Sequence, residues 1–283
     1  MPPLSTTDHS RDSAGLTYVY PVISRRSGGL SIGINLNPNN ACNWRCIYCQ
    51  VPNLVRGTAP AIDLPLLEEE LRGLLEDILH GNFHERYGVP EGQRAIRDIA
   101  ISGNGEPSSC REFDSVIAVI GRICREFDRF GRVKRVLITN GSLAGRAEVQ
   151  RGLAHWSELG GEVWFKLDSA TAEGLRRINS VNLAPDTVRH NLESCARLCP
   201  TWIQTCLFAL DGEPPSKTER QAYLAFLAEL RERAVPLEGV LLYGLARPSL
   251  QPEAPRLSAL PAAWLEDMAR RIEAVGLRVK VSS

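Results

Sequence analysis

Lysine is nearly absent from this 283-residue chain: Lys134 is the first, and only Lys166, Lys217 and Lys280 follow. The other cations are arginines, and 33 basic residues balance 33 acidic ones, for a formal net charge of zero. A neutral chain has no global field to draw it to nucleic acid or to an acidic membrane surface. No apolar run reaches the roughly 20 residues that a membrane-spanning helix needs. The first fifteen residues, MPPLSTTDHSRDSAG, are polar and hold no secretory apolar region. The chain has eight cysteines. In the cytoplasmic location that this predicts, they bind metals or stay free. No cysteine precedes Cys42, and no Cys or His lies between Cys49 and His80. No internal repeat or low-complexity tract is present.

The stretch that stands out is Cys42-Asn43-Trp44-Arg45-Cys46-Ile47-Tyr48-Cys49, a C-x3-C-x2-C triplet. Three thiolates this close converge on one metal centre without closing a long loop. A zinc site wants a fourth sulfur or nitrogen ligand nearby, and none is in reach along the chain. A cubane iron–sulfur cluster normally takes four thiolates. Three would leave one iron open to chelate a small molecule and pass it an electron.

Strand patterns alternate with helical ones along the chain. Leu30–Leu36 alternates as a strand and runs through a turn into the triplet. Further strands are expected at Arg97–Ser102, Val133–Thr139, Glu162–Leu167, Trp202–Leu210 and Leu237–Tyr243. Tyr18–Ile23 reads as a short strand before them. Helical spacing falls near Leu64–Leu79, Phe113–Phe127, Gly145–Leu159, Ala172–Ile178, Pro185–Leu198, Lys217–Ala234 and Leu260–Val275. Residues 81–95 read as a polar connection. Such alternation implies parallel βαβ units. It predicts an α/β fold in which six units suit a partial (β/α)6 TIM-like barrel, with a C-terminal helix–strand extension, better than an open sheet, though spacing alone does not separate the two. The expected divisions are a tail over 1–16, a barrel over 17–250 and the extension over 251–283.

In parallel barrels the active residues stand at the carboxyl ends of the strands. Here those ends carry the cysteine loop, the turn Gly103-Asn104-Gly105-Glu106-Pro107, and Asn140-Gly141. Alternation puts Trp164, Lys166 and Asp168 on one face of their strand, and Val163, Phe165 and Leu167 on the other. Lys166 and Asp168 are therefore expected inside the barrel, paired with each other or with a ligand, since unpaired buried charge is costly. Gln204 and Cys206 share a face of the next strand. Arg247 suits a carboxylate or phosphate clamp or an ordinary surface position, and Arg25 and Arg26 carry the same ambiguity. Cys124, Cys195 and Cys199 fall on helices and read as small core hydrophobes. A second metal at Cys195, Cys199 and Cys206 lacks a clear fourth ligand.

The triplet, with Tyr48 just before its last cysteine, resembles the signature of radical S-adenosylmethionine (SAM) enzymes. Ser31-Ile32-Gly33-Ile34-Asn35-Leu36-Asn37-Pro38, Asn140-Gly141 and Lys166-Leu167-Asp168 are similar to the branch that contains the tRNA wyosine-base synthases. The resemblance implies a 4Fe–4S cluster on Cys42, Cys46 and Cys49, and SAM as the second cofactor. The open iron would bind the methionine end of SAM, and one electron would release a 5′-deoxyadenosyl radical. It implies Gly103, Asn104, Gly105 and Glu106 at the methionine end of SAM. Asn140, Gln204 and Tyr48 are expected to line the cofactor, and Lys166 and Asp168 to act near the radical's path. The implied partners are an electron donor such as flavodoxin or ferredoxin and a substrate that the sequence does not identify. Wyosine-base synthases carry upstream cysteines and an upstream lysine. This chain has neither, which leaves three readings open: a radical SAM enzyme on another substrate, a tRNA-base modifier of the wyosine type, and a non-catalytic metal-cluster protein.

Overall fold

In the computed structural model, which describes residue 4, residue 11 and residues 14–24, 28–127 and 133–282, parallel strands alternate with helices. The elements in order are β1 (Val19–Ser24), β2 (Gly29–Ile34), β3 (Ala41–Cys42), β4 (Val55–Arg56), α1 (Leu64–His80), α2 (Phe83–Arg86) and β5 (Ile96–Ile101). Then come α3 (Phe113–Glu126), β6 (Lys134–Thr139), α4 (Ala147–Glu158), β7 (Gly161–Lys166), α5 (Ala172–Asn179), α6 (Pro185–Leu198) and β8 (Thr201–Leu207). The chain closes with β9 (Ala209–Leu210), α7 (Lys217–Glu232), β10 (Leu237–Gly244), β11 (Leu257–Ser258), α8 (Ala262–Ala274) and β12 (Val279–Ser282). The tail expected over 1–16 lies largely outside the described residues, as do Arg25 and Arg26.

The main sheet runs β1-β2-β5-β6-β7-β8-β10-β12. Every neighbouring pair from β2 to β12 is parallel, and β1 alone runs antiparallel, on β2. The six strands expected of a partial barrel are β2, β5, β6, β7, β8 and β10. The C-terminal helix and strand extend this sheet, because β12 pairs with β10 as a seventh parallel strand.

Local chemistry explains the helices. Asp63 caps α1 by accepting from Leu66 N at 3.0 Å, and a proline sits in the first turn. Leu67, Leu71 and Leu75 then recur on one face and are fully buried. Burial of each contributes about 1.5–3 kcal/mol. Thr171 caps α5 and Ser216 caps α7 in the same way. In β7 the buried residues alternate as the sequence predicts, with Val163 and Phe165 at 0% exposure.

Two expectations need correction. Residues 81–95 hold a short helix, α2, because Phe83 and Tyr87 are buried there and stack at 4.5 Å between ring centroids. The strand expected over Trp202–Leu210 ends at Leu207, and β9 pairs instead with β11. Phe208, between the two, packs on Tyr48 of the cysteine loop at 5.6 Å.

No described helix is long and apolar enough to cross a membrane.

Candidate active site at the carboxyl ends of the strands

The cysteine loop leaves β2 through Asn35, Leu36 and Asn37, all buried. Asn35 Oδ1 accepts from Asn37 N and from Asn104 N, both at 3.0 Å. Asn37 Nδ2 donates to Ala41 O at 2.9 Å. Two polar side chains thus replace strand pairing just where the sheet ends, and they tie the loop to the turn after β5.

Distant segments hold the loop from two sides. Arg45 N donates to Asn179 O at 3.1 Å and Ile47 N to Ile178 O at 2.8 Å, both at the end of α5. Ser180 Oγ returns a bond to Arg45 O at 2.9 Å. After β10, Ser249 Oγ donates to Ile47 O at 2.7 Å, and Leu250 N to Cys49 O at 2.9 Å. Arg45 forms a two-pronged pair with Glu253 at 2.6 and 2.9 Å. Arg247 lies half-buried just before this clamp. The loop backbone is fixed, and the three cysteines are half-buried as residues.

Burial pushes the Cys42 and Cys46 thiols up to about 12. Cys49 lies near enough for its charge to oppose theirs. Such thiols ionise when a metal cation takes the place of the proton. Among the described residues, no three His, Cys, Asp or Glu side chains already stand in ligating positions. Gathering Cys42, Cys46 and Cys49 on one metal therefore takes rotation of at least one of these side chains within the fixed loop.

The turn after β5 packs beneath the loop. A Cβ on Gly105 would fall inside contact distance of Ala41 O, and one on Gly103 would strike Asn35. Close approach of two protein segments requires these glycines. Glu106, 2% exposed, spends both carboxylate oxygens on the protein. Oε1 accepts from Ser108 N (3.0 Å), Ser108 Oγ (2.6 Å) and Thr139 Oγ1 (2.5 Å), while Oε2 accepts from Asn140 N (2.7 Å). Burial raises its pKa, and these donors pull the other way. The residue bolts the turn to the end of β6. From there Asn140 Nδ2 reaches Asn43 Oδ1 of the cysteine loop at 2.9 Å.

The inner wall is built from β7, β8 and β10. Lys166 pairs with Gln204 in the β7–β8 register, and Tyr243 pairs with Cys206 across β8–β10. The ion pair expected between Lys166 and Asp168 is absent from the salt bridges of the described residues. Asp168 is already engaged. Its Oδ2 accepts from Tyr48 Oη at 2.6 Å and Asn179 Nδ2 at 2.8 Å, and its Oδ1 from Cys206 N at 3.1 Å. Lys166 Nζ lies 5.0 Å from the Tyr48 ring centroid and 3.4 Å from Tyr243 Oη. Burial alone would lower the lysine's pKa. Tyr243, Asp168 and the Cys46 and Cys206 thiols outweigh that, and the net direction is upward. Lys166 Nζ faces the Tyr48 ring, a geometry that favours an ammonium there.

Three buried carbonyl oxygens at this end have no hydrogen-bond donor: Asn104 Oδ1, Asn179 Oδ1 and Gln204 Oε1. An unsatisfied buried acceptor costs about 1–3 kcal/mol. Sequence reasoning placed Gln204 and Asn104 here. It missed Asn179, Asn43, Tyr243 and the Ser249–Glu253 clamp. None carries a local signal, since each acts on residues far away in the chain.

No family model matches this chain. Among curated proteins it resembles GTPase Obg of Brachyspira hyodysenteriae, 27% identical over 133 residues, which are 47% of this chain and 17% of that protein. It also resembles a UPF0026 protein of Methanocaldococcus jannaschii, 30% identical over 159 residues, 56% of this chain and 42% of that one. In both cases the match spans less than half of the relative. Among solved structures, TYW1 with a lysine–pyruvate adduct bound superposes with a TM-score of 0.57 at 16% identity, covering 86% of this chain and 73% of that one. SuiB of Streptococcus suis bound to S-adenosylmethionine gives 0.54 at 13% identity, over 90% and 47%. A radical SAM methyltransferase of Sphaerobacter thermophilus gives 0.55 at 12% identity, over 93% and 68%. The chain therefore has the partial-barrel α/β fold of these structures.

Proposed function

We propose that this protein is a radical SAM enzyme. The observation that carries the reading is the cysteine triplet, locked by α5 and the segment after β10 at the carboxyl ends of the parallel strands. Cys42, Cys46 and Cys49 would hold a 4Fe–4S cluster. When bound, that cluster supplies the electron that splits the SAM sulfonium into methionine and a 5′-deoxyadenosyl radical. The chemistry so supplied would be hydrogen abstraction from the substrate.

The chain's own residues do the rest. The Gly103–Glu106 turn and Asn140 form the floor under the methionine end. There Asn104 Oδ1 is an open acceptor for an amine donor, and Gln204 Oε1 offers another deeper in the barrel. Glu106 acts through the turn it holds, because both oxygens of its buried carboxylate are engaged by Ser108, Thr139 and Asn140. Tyr48 positions Asp168 and presents its ring to Lys166. Lys166, charged and without a carboxylate partner among the described salt bridges, orients an anionic group of cofactor or substrate.

Reduced flavodoxin or ferredoxin suits the role of electron donor. A tRNA-base substrate is the second reading, and the chain's zero net charge gives it no support. The test is anaerobic reconstitution with iron and sulfide, then incubation with SAM and dithionite. Formation of 5′-deoxyadenosine supports the reading. A cluster of full iron content that never cleaves SAM defeats it in favour of a non-catalytic cluster protein.

A further inference from the structure

Asn179 is the last residue of α5 and is completely buried. It lies outside the cysteine loop and outside every motif that the sequence singles out. Its Nδ2 donates to Asp168 Oδ2 at 2.8 Å and to Cys46 Sγ at 3.2 Å. The orientation of the amide is not arbitrary. A carboxylate only accepts, so the nitrogen must face Asp168 and the oxygen must face away. That oxygen is one of the site's unsatisfied atoms. Tyr48 Oη, also on Asp168 Oδ2 at 2.6 Å, fixes the carboxylate that fixes the amide. The backbone of the same residue holds the loop, because Asn179 O accepts from Arg45 N at 3.1 Å. Asn179 is thus braced at both ends, with one N–H directed at the sulfur of a cluster ligand.

We infer that Asn179 is a positioning residue that tunes the cluster, by donating its amide N–H to the Cys46 sulfur and thereby raising the cluster's reduction potential. This rests on the reading of Cys46 as a cluster ligand. The physics is electrostatic. Reduction adds negative charge that spreads onto the cysteinyl sulfurs. A donor aimed at such a sulfur stabilises the reduced form more than the oxidised one. Tyr48 and Asp168 are part of the device, since they hold the donor in place. The same Tyr48 ring carries the Lys166 ammonium at 5.0 Å. The barrel wall and the cluster are therefore joined by one continuous polar chain, from Lys166 through Tyr48, Asp168 and Asn179 to Cys46.

Two measurements test this on the reconstituted protein without reference to turnover. The first is the cluster's midpoint potential in wild-type protein and in Asn179→Leu, which keeps the volume and removes the donor. The expected result is a potential shifted to more negative values at unchanged iron and sulfide content. An unchanged potential at full iron content overturns the inference. The second needs no variant, so it stands even where Asn179→Leu folds poorly. Resonance Raman spectra of wild-type protein in H2O and D2O should show an isotope shift in an iron–cysteinyl sulfur stretch, the mark of an exchangeable N–H on that sulfur. Spectra that coincide overturn it. A wild-type protein that holds no iron at all sinks the cluster reading and this inference together. A full cluster with neither effect sinks this inference alone.

Discussion

Cys42, Cys46 and Cys49 sit half-buried on a loop, whereas Cys195 and Cys199 are 1% and 2% exposed at α6 and its end. Burial pushes Cys46 and Cys195 alike up to about 12, so thiol acidity does not separate the two groups. Their surroundings do. Cys195 borders a small void with Leu137, Ala144, Val149 and Leu153 beside Ser108 and Thr139, a mainly apolar surface that a small hydrophobe suits. Cys199 Sγ donates to Gly161 O at 3.3 Å and needs nothing more. The loop cysteines have their backbone clamped from two sides, and Asn179, whose side-chain carbonyl is unsatisfied, donates to Cys46 Sγ. A core cysteine is placed by what its side chain fills. A ligand cysteine is placed by what holds its main chain.

The sharpest way to break that contrast is to delete sulfur on each side of it. The triple change of Cys42, Cys46 and Cys49 to Ala should reduce bound iron and sulfide to background after reconstitution. Replacing Cys195 and Cys199 with Ala should leave iron content intact and cost about 1 kcal/mol each, as for losing one methyl-sized group from a core. Iron retained by the first variant, or lost from the second, would erase the distinction.

Glycine gives a second pairing. Gly105→Val pushes a side chain into Ala41 O, a backbone atom that has nowhere to go. The expected cost is about 3 kcal/mol or more, with loss of cluster binding, both read from denaturant melts and iron analysis. Gly73 lies on the exposed face of α1 with nothing within 4 Å of a new Cβ. Gly73→Ala should stabilise the protein by about 0.5–1 kcal/mol.

Glu106→Gln should cost about 1–3 kcal/mol, because the new amide NH2 cannot accept the bonds that a Glu106 oxygen takes from Ser108, Thr139 or Asn140 and leaves buried donors unsatisfied. The pH dependence has a definite sign. Burial raises the Glu106 pKa in the folded protein above its unfolded value. Its contribution is therefore fully present below the unfolded carboxyl range and is lost as pH rises through the folded pKa. The stability gap between wild type and Glu106→Gln should narrow as pH climbs through that window. A gap that widens there would contradict the burial argument.

Lys166 sharpens the contrast within the site itself. Lys166→Arg keeps the charge and should retain measurable SAM cleavage, while Lys166→Ala should lower it on the order of tenfold, about 1.4 kcal/mol. Equal loss in both, with the cluster intact, would point to covalent chemistry at this amine. The smallest effect is expected at the rim. Arg45→Ala removes a pair whose side chains are 32% and 19% exposed, and should cost about 1 kcal/mol or less.

Much of the fold was legible because strand and helix periods are local. The buried faces of α1 and β7 fall where the spacing of Leu67, Leu71, Val163 and Phe165 puts them. The triplet and the turn after β5 were legible for the same reason. What the sequence hid was long-range. Lys166 and Asp168, two apart on one face, suggested an ion pair, yet Asp168 belongs to Tyr48, 120 residues earlier. Asn179 meets Cys46 across 133 residues, and Ser249 meets Ile47 across 202. The need for glycine at 105 is long-range too, since a Cβ there would meet Ala41 O.

The central claim is that the clamped triplet makes this protein a SAM-cleaving enzyme. The direct measurement is 5′-deoxyadenosine formed by anaerobically reconstituted protein given SAM and a reductant, beside the triple-alanine variant under the same conditions. The wild type should yield 5′-deoxyadenosine and methionine in equal amounts, and the variant none above background. No product from a wild-type protein carrying its full complement of iron and sulfide would contradict it.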